Sequence, residues 1–153
     1  MAAMGFEPVT ASIRVSCGNL YDYVVIGEHP QATDGFDNAY DTISPGNLNA
    51  DMGQPFISVI IPHPEWKPAM REMRGDIRSL AKQQQWNLNI TSSIAEGMPI
   101  NIALQTEGTT LPRGVKLTLS DKKKEIDLKT SNFTLPASGP GTTIKLLIIA
   151  EQP

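Results

Sequence analysis

The strongest constraint on this chain is an alternation of period two that recurs through its second half, broken each time by glycine or proline. Trp86, Leu88 and Ile90 fall on one side of a segment whose other side is Gln85, Asn87, Asn89 and Thr91. Ile100, Ile102 and Leu104 repeat the pattern after Glu96-Gly97-Met98-Pro99, and Val115, Leu117 and Leu119 repeat it after Leu111-Pro112-Arg113-Gly114. Successive side chains of a strand point to opposite faces, so each segment lays an apolar face on a core and a polar face in water. Ile126 and Leu128, then Phe133 and Leu135, continue the series. Residues 142–150 close it, with Ile144, Leu146 and Ile148 opposite Lys145, Leu147 and Ile149.

The first half is patterned at its beginning. Val9, Ala11, Ile13, Val15 and Cys17 oppose Thr10, Ser12, Arg14 and Ser16, and Gly18-Asn19 has the residues of a hairpin turn. Residues 20–26, Leu-Tyr-Asp-Tyr-Val-Val-Ile, are rich in β-branched and aromatic types and complete an antiparallel hairpin. Residues 27–54 have almost no apolar period and read as a long loop, a feature that is often functional. Residues 56–61 form a strand ended by Pro62 and Pro64. Residues 70–80 admit two readings: a short helix through Met70, Met73, Ile77 and Leu80, or a short edge strand interrupted at Gly75. The total is about eight or nine strands at spacings of roughly 8 to 14 residues, as in an antiparallel sandwich or barrel. Uneven strand lengths and the long early loop favour the sandwich. The expectation is an all-β single domain over 9–153, preceded by an arm over 1–8.

A chain of 153 residues with 40% apolar content buries a core without metal or disulfide staples. Cys17 is alone, so no intrachain disulfide forms; it reads as a core thiol. A net charge of -3 argues against nucleic acid, which demands a basic face. Lys122-Lys123-Lys124, between Asp121 and Glu125, reads as a solvated hairpin tip. No apolar run approaches the ~18 residues of a membrane span. Residues 1–6 lack the basic and apolar regions of a signal peptide.

Residues 32–41, Ala-Thr-Asp-Gly-Phe-Asp-Asn-Ala-Tyr-Asp, are the densest run of binding and turn-forming groups. Asp34, Asp37 and Asp41 are read first as caps on backbone amides. They are also candidate ligands for calcium, the one cofactor the sequence suggests, in a spacing unlike an EF-hand. Phe36 and Tyr40 anchor the loop, and Tyr40 is a candidate ligand contact. His29 and His63, with Glu65, form at most a fragment of a zinc site, since the usual ligand spacing is missing. No G-x-S-x-G supports a Ser-His-Asp triad, and carboxylates crowded on one loop do not flank a sugar as a glycosidase requires. No catalytic residue is assigned and no enzyme expected. Trp86 is in phase with Leu88 and Ile90 and belongs to the core. Trp66, in a proline-flanked loop, is a candidate sugar-stacking platform. The last strand is apolar on both faces near its end, which suits either a buried central strand or, with the arm, strand addition between subunits.

Ala32-Thr33-Asp34-Gly35-Phe36-Asp37 with Tyr40 and Asp41 resembles an A-T-D-G-[FY]-D-x-x-x-D segment of bacterial secreted and cell-surface proteins. There it precedes an Ig-like or fibronectin-III-like β-sandwich module. Trp86-Asn87-Leu88-Asn89-Ile90, the run of residues 111–121, Ile126-Asp127-Leu128-Lys129-Thr130 and the connector Pro62-His63-Pro64-Glu65-Trp66 are similar to such modules too. The resemblance covers roughly residues 20–150. It implies a non-catalytic extracellular module, secreted or on the cell surface and commonly one part of a larger assembly. The residues themselves allow protein partners, further copies of the chain through the last strand, or glycans at Trp66, and no membrane insertion. It identifies the module type more sharply than any activity.

Overall fold

The computed structural model describes residues 6–153, of which 49% are strand and 3% helix. Eleven strands occur in order: β1 (Val9–Cys17), β2 (Leu20–Glu28), β3 (Thr42–Ile43), β4 (Ile57–His63), β5 (Met70–Arg78), β6 (Gln83–Ser92), β7 (Pro99–Leu104), β8 (Lys116–Ser120), β9 (Glu125–Asp127), β10 (Phe133–Pro136) and β11 (Ile144–Glu151). One four-residue helix, α1 (Leu48–Asp51), interrupts the early loop; the Asn47 side chain caps it by accepting the Ala50 N–H at 3.1 Å. The strands form one sheet in the order β10-β7-β1-β2-β5-β4-β6-β11-β8-β9, with β3 added beside β5, and the sheet curls nearly into a barrel.

The all-β expectation holds, with two corrections. Among the described residues the strand count is eleven rather than eight or nine, because residues 42–43 pair within the expected loop and residues 70–78 are a strand. The sheet is also mixed, since β2 and β5 run parallel over Val25–Glu28 and Gly75–Arg78. Parallel neighbours need a long crossover, and here residues 29–69 supply it. Neither feature leaves a trace in local periodicity.

Of the two readings for residues 70–80 the strand prevails, in an interior position. β5 is bordered by β2, β3 and β4, and its backbone groups are used on both sides. Gly75 is where β3 crosses closest: a Cβ there would sit 3.3 Å from the Thr42 side chain. β4 runs past the expected stop to His63. Pro62 is tolerated because β4 changes partner there, from β6 over residues 57–60 to β5 at Ile61 and His63. The missing N–H therefore interrupts no continuous ladder.

The alternation read from the sequence is the core. In β6, Gln84, Trp86, Leu88, Ile90 and Ser92 are buried while Gln83, Gln85 and Asn87 are exposed. Trp86, Phe133, Ile13, Ile26, Ile61 and Leu117 are among the largest fully buried side chains, and Cys17 packs against this cluster, half-buried. β11 lies between β6 and β8, so it is the central strand of the two readings. Lys122, Lys123 and Lys124 are exposed at the β8–β9 tip, where the Asp121 carboxylate accepts the Lys123 and Lys124 amides. Residues 1–5 of the expected arm lie outside the described residues. At Glu7 the carbonyl accepts the Gln152 side-chain amide at 3.0 Å, tying the two ends of the chain. Among the described residues no helix is long and apolar enough to cross a membrane.

Candidate functional site

The polar side chains of the crossover converge on the end of β5 and the turn that follows it. Asp76 is fully buried there. Its Oδ2 accepts His63 Nε2 at 2.5 Å and Arg78 Nη2 at 3.1 Å, while its carbonyl accepts Trp86 Nε1 at 3.1 Å. The other imidazole nitrogen of His63 meets the Glu65 carboxylate, and the ring lies flat on Trp66 with centroids 3.7 Å apart. Burial pulls the His63 pKa down, but the hydrogen bonds and charges of Asp76 and Glu65 outweigh it, so the ring titrates above its ordinary value. Burial likewise works to raise Glu65, and the bond from His63 prevails to hold it below the usual carboxylate value. An imidazole ring clamped between two carboxylates and a tryptophan pins residues 63–66 onto β5. Both ring nitrogens are engaged, so His63 has none left for a metal or a nucleophile.

The three aspartates of the 32–41 run are spent on backbone. Asp37 accepts the Thr33 N–H at 2.6 Å and the Thr33 hydroxyl. Asp41, buried, accepts the Asp37 N–H at 2.6 Å and the Ile77 N–H of β5 at 2.8 Å. Asp34 Oδ1 accepts the Ser79 N–H and hydroxyl and the Gln84 amide, at 2.8 to 3.2 Å. Asp37 and Asp41 make the local caps expected from the sequence, whereas Asp34 bonds to Ser79 in the turn after β5 and to Gln84, and Asp41 also reaches β5 itself. Burial opposes ionisation of Asp34, yet the Ser79 and Gln84 bonds prevail and lower its pKa. Asp41 ends above its ordinary value through burial, with the charges of Asp76 and Asp37 adding to the effect. Among the described residues no three His, Cys, Asp or Glu side chains are grouped to hold a metal ion.

The two candidate ligand contacts occupy different settings. Tyr40 stacks on His29 at 4.7 Å and donates its hydroxyl to Gln31 at 3.1 Å, so it fastens the loop to itself. His29 also accepts the Gln31 N–H, and it plays no part in the His63 cluster's bonds. Trp66 is half-buried, one face on His63, with Phe36 edge-on at 6.3 Å. Phe36 and Trp66 line an open groove of about 320 Å³ with Gly35, Pro68 and Met70.

Sequence reasoning found His63 and Glu65 but missed Asp76, Arg78 and Asp22. One signal was available: Asp76 and Arg78 are two apart, so a strand puts them on the same face as an ion pair. Asp22, by contrast, sits among apolar residues of β2 with nothing local to announce its role. Its carboxylate takes Arg74 Nη2 at 2.9 Å and the Val59 N–H at 2.9 Å.

Comparison with protein families, with characterised proteins and with solved structures yields no match to this chain.

Proposed function

We propose that this chain is a non-catalytic interaction module of a secreted or cell-surface protein, built as an Ig-like or fibronectin-III-like β-sandwich. The observation that carries the reading is how its charged groups are used. Asp34, Asp37, Asp41, His63 and Asp76 hold backbone and one another, and the loops they brace carry Phe36 and Trp66 outward at one groove. A braced pair of aromatics presents contact area with little entropy left to lose on binding, which suits a protein partner. Fractionation of cells carrying the native gene tests the setting: recovery from the medium or the outer surface supports it, and recovery only from the cytosol overturns it. A Phe36→Ala/Trp66→Ala variant that keeps every partner of the parent protein removes the groove from the reading.

Self-assembly is the second reading. It is favoured by β9 and β10, which stand at the two ends of the hydrogen-bonded order with one neighbour each. Pro136 on β10 and the lysines beside β9 blunt those edges against indiscriminate pairing. Light scattering over a wide concentration range separates the readings, since a strictly monomeric species excludes a strand-adding subunit.

A further inference from the structure

The charged groups around the crossover are consumed internally, but on the outer face of β4, β6 and β11 they are not. Asn87 and Asn89 project from β6 on the side opposite Trp86 and Leu88, and among the described residues their side-chain amides make no hydrogen bond. Asn89 lies between Ile60 of β4 and Lys145 of β11 in the cross-strand register. Lys145 and Arg71 are both exposed, and neither forms an ion pair among the described residues. Two depressions flank Asn89 and share Arg71. One, of about 360 Å³, is bordered by Pro62, Glu65, Asn87 and Lys145. The other, of about 400 Å³, is bordered by Ser58, Ile60, Glu72, Thr91 and Thr143.

The geometry points to this face as a binding site for an acidic polysaccharide of the uronic-acid class. Arg71 and Lys145 hold a sugar carboxylate over the first depression, where the one neighbouring carboxylate, Glu65, is already engaged by His63. The next residue of the polysaccharide lies over the second depression, where Ser58, Thr91 and Thr143 present hydroxyls, Ile60 an apolar floor, and the exposed Glu72 a carboxylate that accepts sugar hydroxyls rather than facing the acid group. The amides decide for a glycan over other polyanions. Each Asn offers both a donor and an acceptor, which a sugar hydroxyl satisfies at once and a phosphate or carboxylate does not. The two amides are also two residues apart on one strand, about 7 Å, so both reach hydroxyls of one bound polymer. The proposal rests on the extracellular setting argued above, where such polymers are met, and it uses a face other than the Phe36–Trp66 groove.

Titration of the full chain with an oligogalacturonate, followed by backbone amide NMR and calorimetry, tests it. Shifts are expected at Asn87, Asn89, Arg71 and Lys145. The methyl-esterified oligosaccharide, which keeps the hydroxyls and loses the charge, should bind about tenfold or more weakly, as should Arg71→Ala/Lys145→Ala. Asn87→Ala/Asn89→Ala should weaken the oligogalacturonate and leave polyglutamate unaffected. All these positions are exposed or half-exposed, and unchanged melting curves check that each variant folds. No binding at all overturns the proposal. So does equal affinity for the ester, or an asparagine variant that loses both polyanions alike. Shifts confined to Phe36 and Trp66 also overturn it while leaving the interaction-module reading standing.

Discussion

Val59 on β4 donates its backbone N–H to the carboxylate of Asp22 on β2, at 2.9 Å, although those strands are not paired with each other. β5 separates them over Val25–Glu28, and the Asp22 side chain replaces the missing ladder bond where β5 diverges. The same carboxylate takes Arg74 from β5, so three strands meet at one side chain that is only 11% exposed. Asp22→Ala should strand the Val59 N–H and an Arg74 guanidinium, and lower stability by about 3 kcal/mol. Asp22→Asn keeps an acceptor for Val59 and should lose about half as much. Denaturant melts of the two variants check the order, and equal losses would refute the ladder-replacing role.

How much of this was legible follows from range. The core alternation, the β1–β2 hairpin, Trp86 inside and the local caps by Asp37 on Thr33 and by Asp41 on Asp37 depend on neighbours in sequence, and the chain states them openly. Asp22 to Val59, His63 to Asp76 and the parallel β2–β5 pair depend on where a crossover of some forty residues returns. No local pattern encodes that return. Gly75 and Pro62 even misdirect, since each marks the end of a strand elsewhere but here sits at a crossing or a change of partner. The candidate site was thus half visible: its loop could be read, and the strand it is fastened to could not.

His63 should make stability depend on pH in a window set by its raised pKa. The unfolded imidazole titrates near its ordinary 6.5, and the folded one higher because Asp76 and Glu65 hold the proton. A group whose folded pKa is raised stabilises fully below the unfolded value, and that contribution disappears as pH climbs through the folded value. The gap in melting temperature between the parent and His63→Gln should therefore be widest below the ordinary 6.5 and shrink as pH rises above it through the folded value. Parallel curves across that range would mean that the imidazolium is not what the two carboxylates stabilise.

Gly27 is required by close approach rather than by turn geometry. A Cβ at this position would lie 2.2 Å from the Val9 carbonyl oxygen and 3.0 Å from Ile77 Cδ1, at the point where β2 is held between β1 and β5. Backbone on one side cannot swing away, so Gly27→Ala should cost about 3 kcal/mol, the upper part of the range for overpacking, and lower Tm by about 6–12 °C. Gly53→Ala is the contrast: φ is +71° with open space around it, and the loss should be about 1 kcal/mol from backbone strain alone. A Gly27→Ala variant no less stable than Gly53→Ala would refute the steric argument.

Asp41 gives the sharpest test of what the aspartates of the early loop do. Its two oxygens each accept a different backbone N–H, Asp37 within the loop and Ile77 on β5, so the side chain is the bolt between them. Asparagine has the same shape but one oxygen replaced by a donor, which then faces an N–H. Asp41→Asn should accordingly cost about 2 kcal/mol and raise hydrogen exchange at Asp37 and Ile77 together. With the carboxylates occupied in this way, a chelator should leave the melting temperature of the parent unchanged. If instead chelation lowered it and millimolar calcium restored it, while Asp41→Asn removed that response, the aspartates would be turning from the backbone to a cation, as the spacing of Asp34, Asp37 and Asp41 in the sequence also allows.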